Sequence, residues 1–327
     1  MDTIRKQICK ALTESKEVVV VSHVRPDGDA IGSTLALGLA LANMGKRVHM
    51  WNEDGVPARY EFLRGAERVE LVPDELPEGI DTFICVDVGQ LKRIGERAKK
   101  LFLQAPYTIN IDHHETNEKY ASANLVEGDE AACAAVLMKV LRELGAELTP
   151  EIADALYVGI NTDTGSFMYS STSAEVMEMA AELIRAGVNV GEINRLVYEE
   201  LPMTSYVMQR EVLEHMRVDA EGAISYYSMP AGRKQELGVT LEDTKDLVDY
   251  VRKLRGVKLA AIFEDMENGL IRISLRSKDK RINVAQLAKQ FGGGGHEMAA
   301  GIRMSGSLEE CEEKVLQAMR TAVRELS

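Results

Sequence analysis

Four short strand-like runs, spaced by helical periodicity and turns, restrict the first half of this chain to one kind of architecture. Residues 18–21 are all valine, and residues 47–51, 82–86 and 107–111 continue the series. Between the first two, residues 30–44 have the length and apolar content of a helix, and Gly45 closes it. Strands that are apolar on both faces and separated by helices require a parallel sheet covered on each side. Residues 173–186 read as a further helix with Gly187 as its C-cap, and helical character continues through Arg217. After Asp219 the texture changes. Strands are expected at 223–229, 258–265 and 270–275, the last two joined at Asn268-Gly269, a strong hairpin signal. A short helix over 284–291 runs into Gly292-Gly293-Gly294-Gly295, and an acidic helix over 308–325 follows. A chain of 327 residues has room for two domains. The expected fold class is α/β: a parallel-sheet N-terminal domain (1–200), a helical linker (201–218) and a smaller α+β C-terminal domain (219–327).

The strand ends carry the chemistry. His23, Asp27 and Asp29 follow the first run, Asp87 the third, and Asp112, His113 and His114 the fourth. In an open parallel sheet the carboxyl ends of the strands line the ligand crevice, so these residues converge on one edge of a catalytic N-terminal domain. Asp163 joins them from a polar break over 159–165 that follows the apolar stretch 152–160. Taken singly, each has a structural reading: a hydrogen-bonded histidine, an Asp-Gly-Asp turn, or an N-cap at Asp87 or Asp163. Taken together, they put more carboxylates in one place than can ionise side by side without cations between them. Oxygen-rich ligation with a few imidazoles suits manganese or magnesium, with iron, cobalt or zinc as substitutes. Two such ions need a bridging carboxylate and typically activate water for attack on phosphorus.

A net charge of −13 argues against a broad basic face for long nucleic acid, although bound cations and a local basic patch can reverse the field at one site. The four cysteines are scattered without a CxxC pair, as in reduced cytosolic proteins. The first residues are charged and amphipathic, unlike a signal peptide, and the longest uncharged stretch, 30–45, is too short to span a bilayer. A cytoplasmic protein is expected. In the second half, the glycine run precedes His296 and lies close in sequence to the basic strand around Arg272, Ser274 and Arg276. Glycines let backbone N–H groups approach an anion and arginine grips phosphate bidentately, so a phosphate or nucleotide cradle is favoured over a bare linker. Lys280 and Arg281 read equally well as a solvated hairpin face. The many methionines fit packing, His49 and His215 lack metal-spaced partners, and Trp51 ends a strand.

The order His23-x3-Asp27-x-Asp29, then Asp87, then Asp112-His113-His114, then Asp163 resembles the DHH phosphoesterase superfamily. The segment 291–301, Phe-Gly-Gly-Gly-Gly-His-Glu-Met-Ala-Ala-Gly, is similar to the signature of the substrate-binding domain that accompanies it. The resemblance covers almost the entire chain, and the compact two-domain length resembles the nano-RNase branch, which also dephosphorylates 3′-phosphoadenosine 5′-phosphate (pAp). It implies that His23, Asp27 and Asp87 hold one manganese ion and that Asp29, Asp87, His113 and Asp163 hold the second, with Asp87 as the bridge. Mg2+ or Co2+ would serve as alternatives. Asp112 would orient His113, and His114 would sit beside the scissile phosphate, which makes His114, Asp112 and Asp87 the catalytic residues.

In the C-terminal domain, Arg276, Ser274, Gly293, Gly294, Gly295 and His296 would bind the substrate's other phosphate and base as that domain closes over the crevice. Arg272 ranks lower, on the reading that neighbouring strand positions face opposite sides. The implied activity is two-metal hydrolysis of short oligoribonucleotides to mononucleotides and removal of the 3′-phosphate of pAp. A cyclic di-AMP or pApA phosphodiesterase of the same superfamily is the alternative, because the motifs are shared. An inorganic pyrophosphatase, a RecJ-like exonuclease and a non-catalytic nucleotide sensor rank below these. The implied partners are short RNA or small nucleotides, with no long duplex nucleic acid and no membrane; a homodimer is allowed.

Overall fold

The computed structural model describes residues 2–240, 242–244 and 247–326. The chain forms two compact units, Met1–Glu200 and Leu201–Ser327. In the first, strands β1 (Glu17–Val21), β2 (Arg47–Asn52), β3 (Val69–Leu71), β4 (Thr82–Val86), β5 (Tyr107–Asp112) and β6 (Ala123–Val126) form one sheet in the order β3-β2-β1-β4-β5-β6. Every neighbouring pair is parallel. The helices are α1 (Asp2–Glu14), α2 (Gly28–Asn43), α3 (Glu96–Phe102), α4 (Cys133–Leu144), α5 (Pro150–Asp163), α6 (Ala174–Arg185) and α7 (Val190–Asn194).

The valine run explains the layering. Along β1, alternate side chains point to opposite faces. Val18 and Val20 enter a core shared with α1, α2, α4 and α5, while Val19 and Val21 enter a second core with Trp51, Phe83 and the buried face of α3. The strand order reverses between β1 and β4. In doubly wound sheets that switch point opens a crevice beyond the strand carboxyl ends.

Helix α2 is buried from Gly28 to Leu41, which requires close partners on several sides. Two glycines let α5 pack against it. A Cβ on Gly32 would lie 2.3 Å from the Ala155 carbonyl oxygen, and one on Gly159 would lie 2.7 Å from Asp29 Oδ1. This contact carries the end of α5 to the beginning of α2.

The second unit contains α8 (Met203–His215), α9 (Arg233–Leu237), α10 (Leu247–Arg252), α11 (Val284–Lys289) and α12 (Leu308–Arg324). Its mixed sheet runs β11-β12-β10-β9-β8-β7, built from β7 (Arg217–Asp219), β8 (Ile224–Met229), β9 (Leu259–Asp265), β10 (Leu270–Ser277), β11 (Gly294–His296) and β12 (Ala299–Ser305). Only β8 and β9 pair in parallel. Helices α11 and α12 cover one face, and α8 and α10 the other.

Several expectations change. The polar break at 159–165 is helical as far as Asp163, because Pro150 at the first turn starts a helix that the Asn-Thr-Asp run does not stop. Helical structure does not continue to Arg217, which begins β7. The segment expected as a linker is largely α8, whose Met208 and Val212 are buried with Tyr227, Val248 and Val251. The glycine run is not an open loop: Gly294 and Gly295 belong to β11, hydrogen-bonded to β12. Among the described residues, no helix is long and apolar enough to cross a membrane.

Gly32→Ala is expected to destabilise the protein by about 1–3 kcal/mol through overpacking against α5. Urea unfolding monitored by circular dichroism measures this, and an unchanged midpoint would mean that the α2–α5 approach is not constrained at that point.

Candidate metal centre

Each functional side chain sits where a backbone element stops. His23 follows β1, where its Nδ1 donates to the Val24 carbonyl at 2.9 Å and so turns Nε2 toward the crevice. Asp27 caps α2, accepting the Ala30 N–H at 3.0 Å. Asp29, in the first turn of that helix, is fully buried. Its Oδ1 accepts from Ser33 Oγ (3.1 Å) and the Ala134 N–H (2.9 Å), and its Oδ2 accepts from the Cys133 N–H (2.6 Å). Helix α4 has no side-chain cap from its own Ala132, so Asp29 satisfies its first donors from across the core.

Asp87 follows β4 in a left-handed conformation (φ 57°), its N–H bonded to Ile111 O at 3.0 Å. Its two carboxylate oxygens face different imidazoles. Oδ2 lies 3.4 Å from His23 Nε2, while Oδ1 lies 3.5 Å from His113 Nε2 and 3.6 Å from His114 Nδ1. His23 Nε2 is also 3.7 Å from Asp27 Oδ2. His113 Nε2 is 3.2 Å from Asp163 Oδ2 and 3.7 Å from Asp29 Oδ2.

Among the described residues of the first unit, three groups of donor atoms arise, each spanning no more than 4.8 Å: His23, Asp27 and Asp87; Asp29, Asp87 and His113; and Asp87, Asp112 and His114. Asp87 belongs to all three. Its Oδ1 is buried and has no hydrogen-bond donor among the described residues. An unsatisfied carboxylate oxygen at the meeting point of imidazoles and acids fits a cation, and the oxygen-rich donor set suits a hard divalent one. All of the N-terminal residues expected at the site are brought together here, with Asp163 arriving from the last turn of α5.

The role expected for Asp112 requires correction. It does not orient His113. Asp112 Oδ1 accepts from His114 Nδ1 at 2.7 Å, and its Oδ2 accepts from the Asn117 amide at 2.6 Å. His113 Nδ1 donates instead to the Glu130 carbonyl at 3.2 Å. The turn that carries Glu130 is tied down by Lys139, which pairs with the carboxylate of Glu130 and lies 3.4 Å from those of Glu127 and Glu175. One backbone segment, from Glu130 to Ala134, therefore orients both His113 and Asp29. Asn117, Glu130 and Lys139 escape a reading of the sequence. The signal for Asn117 was its place three residues beyond the paired histidines, whereas a backbone carbonyl leaves no signal at all.

The electrostatics reflect the crowding. Burial, with Asp87 adding to it, pushes Asp29 up to about 7, and burial together with Asp29 pushes Asp163 well above the usual carboxylate range. Burial opposes the charged form of Asp87 as well, but His113 and His23 outweigh it and hold Asp87 well below that range. At His23, burial favours the neutral ring, yet Asp27 and Asp87 raise it to about 10.

The second unit gathers its own set. Arg272, Ser274 and Arg276 alternate with buried residues on β10 and share one face, since positions two apart point the same way. This corrects the reason for ranking Arg272 lower. Arg272 engages the fully buried carboxylate of Glu264 and Thr244 Oγ1 (2.9 Å), whereas Arg276 Nε lies 3.7 Å from the less buried Asp249 Oδ1. Arg276 and His296 both lie opposite Ala299 of β12, and Ser274 and Gly294 both lie opposite Gly301. This register brings Gly294, Ala299 and Gly301 beside Ser274, Arg276 and His296 in the sheet. The glycines have a packing reason too. A Cβ on Gly293 would meet the Gly301 carbonyl at 2.3 Å, and one on Gly295 would meet that of Ala299 at 2.4 Å.

Residues 17–160 match the family model described as DHH family, N-terminal domain, and residues 223–325 match the DHHA1 domain. The chain is 33% identical over 306 residues to the bifunctional oligoribonuclease and PAP phosphatase NrnA of Thermus thermophilus, spanning 93% of this chain and 89% of that one. This chain belongs to the DHH phosphoesterase family. The Bacillus subtilis protein of the same description is 23% identical to this DHH phosphoesterase, over 98% and 99% of the two chains. A crystal structure of an exopolyphosphatase-related protein from Bacteroides fragilis matches it with a TM-score of 0.84 at 25% identity, covering 99% and 96%. Membership makes the protein a hydrolase of phosphoesters.

Without cations, protons occupy this DHH site. His23, raised above its ordinary value, stabilises the fold below pH 6.5 and loses that contribution as the pH climbs toward about 10; Asp29, also raised, disfavours the fold progressively from pH 3.8 to about 7. In EDTA the melting temperature is therefore expected to fall between neutral pH and pH 9. Mn2+ binding at pH 7 is expected to release at least one proton per protein, read from calorimetry in buffers of different ionisation enthalpy. Heats independent of buffer would contradict this.

Proposed function

We propose that the protein is a manganese-dependent phosphoesterase that hydrolyses short oligoribonucleotides to mononucleotides and removes the 3′-phosphate of pAp. The observation that carries this reading is Asp87, whose two oxygens face separate imidazole groups and whose Oδ1 has no hydrogen-bond donor among the described residues. The printed name of the Thermus thermophilus relative supports the substrate class.

In this reading His23, Asp27 and Asp87 hold one divalent cation, and Asp29, Asp87, His113 and Asp163 the other, with Mg2+ or Co2+ as alternatives to Mn2+. When bound, the pair supplies Lewis acidity toward the phosphoryl oxygens and lowers the pKa of a bound water. The chain's own residues do the rest. Cys133 and Ala134 fix Asp29 through their N–H groups, and the Glu130 carbonyl fixes the tautomer of His113, which leaves Nε2 as the donor atom. His114 holds its Nδ1–H on Asp112 and keeps Nε2 free of that bond; as an imidazolium it carries a second proton on Nε2, which it can give to the departing oxygen or use to neutralise charge on the phosphoryl group. Burial favours a neutral Asp112, but His114 outweighs it and holds the carboxyl below its ordinary range, so the acceptor stays ionised. Arg276, Ser274 and His296 bind the second phosphate and the base beside Gly294, with Gly293 and Gly295 on either side of it in the chain. Arg272 is a weaker contributor because Glu264 already engages it.

The test is hydrolysis with added Mn2+ of RNA dimers to pentamers, a longer RNA, pAp, pApA and cyclic di-AMP, compared by kcat/KM. Short RNA and pAp are expected to lead, and cyclic di-AMP as the best substrate would overturn the assignment. Asp87→Ala is expected to lose Mn2+ binding and turnover together. His114→Ala should lower kcat by about 10²–10⁴-fold while Mn2+ still binds, because only proton transfer is removed.

A further inference from the structure

One end of the second sheet carries a strongly uneven charge. Residues 252–258 and 278–281 hold seven arginines and lysines against the single carboxylate of Asp279, in a chain whose net charge is −13. The fold brings the two segments together. Leu259 at the start of β9 pairs with Ser277 at the end of β10. The next residue, Lys278, donates its N–H to the Lys258 carbonyl (2.8 Å) and its Nζ to the Leu254 carbonyl (3.2 Å).

Two of the seven are committed to carboxylates: Arg252 to Asp249 at 3.0 Å and Arg281 to Asp279 at 2.6 Å. Among the described residues, no carboxylate lies within ion-pair distance of Lys253, Arg255, Lys258, Lys278 or Lys280. Lys253 Nζ sits 5.4 Å from the centre of the Tyr250 ring, which holds that cation at the surface. Like charges gathered on a protein that is acidic elsewhere repel one another unless a polyanion neutralises them.

The rim is continuous with the face proposed to bind the nucleotide. Ser277 donates its N–H to the Met298 carbonyl (2.9 Å), and Val284 donates to that of Glu297 (2.8 Å), so the basic segment borders the turn between His296 and Ala299. Arg276 is the residue before Ser277 on the same strand.

We propose that Lys253, Arg255, Lys258, Lys278 and Lys280 form an extended phosphate-binding rim for single-stranded oligoribonucleotide. The rim engages phosphates beyond the nucleotide held by Arg276 and His296. The inference rests on the oligonucleotide reading above. It makes capture of a pentamer dependent on salt and leaves pAp, which has no phosphates beyond the single nucleotide, indifferent to it.

The experiment uses the full chain carrying Lys253→Gln, Arg255→Gln and Lys280→Gln together, with Lys280→Glu alone as a second variant. Binding of a fluorescein-labelled pentaribonucleotide is followed by anisotropy in EDTA across a range of KCl, so no hydrolysis is needed. The triple variant is expected to bind about tenfold more weakly at low salt and to lose one to two units of salt slope, because each lost phosphate contact removes about 0.7. With Mn2+, KM for the pentamer should rise by about the same factor while kcat/KM for pAp stays unchanged. Lys280→Glu should move in the same direction by a smaller amount. Unchanged affinity and slope in both variants, no detectable binding by the wild type, or an equal loss for pentamer and pAp would overturn the rim. Absence of RNA hydrolysis with salt-dependent binding retained would instead overturn the catalytic reading.

Discussion

Mutual repulsion among buried carboxylates governs the design of this protein. Asp29, Asp87 and Asp112 are almost fully enclosed, and Asp27 and Asp163 stand beside them. Such a group cannot ionise together in a low-dielectric site, so positive charge has to be shared among its members. Here the imidazoles of His23 and His113 supply part of it, which is why Asp87 is held low while Asp29 and Asp163 are pushed up. Among the described residues Asp87 Oδ1 has no hydrogen-bond donor, which suits a cation as its partner.

The scaffold exists to tolerate that repulsion. A parallel sheet places β1, β4 and β5 side by side, and each strand hands its load to the same edge. Glycines at 32 and 159 bring α5 against α2, so that Asp163 and Asp29 meet. The N-terminus of α4 then fixes Asp29 through two backbone donors, and Lys139 steadies the turn whose carbonyl fixes His113. A buried acid is affordable only when rigid dipoles of this kind hold it in place.

Much of this was legible in the chain because β1 and β4 contain apolar runs, and a site acid or histidine lies at or within two residues of the end of each of β1, β4 and β5. The rest was hidden for identifiable reasons. Asp163 reads as part of a polar break because Asn161, Thr162 and Thr164 conceal a helix whose apolar face ends at Ile160. At the end of β5, Asp112 reaches His114, two residues on, and passes over His113. Alternation along β10 puts Arg272, Ser274 and Arg276 on one face. The glycine run offered a cradle or a linker, and a third demand, close pairing of β11 with β12, came from strand contacts remote in sequence. The basic rim is divided between segments some twenty residues apart and becomes a patch only when β9 and β10 pair.

The central claim is that these side chains hold two dications with Asp87 between them. Anomalous diffraction from crystals soaked in Mn2+ tests it most directly. Two peaks are expected, one among His23, Asp27 and Asp87 and the other among Asp29, Asp87, His113 and Asp163. A single peak that avoids Asp87, or no anomalous density among these residues, would contradict the account.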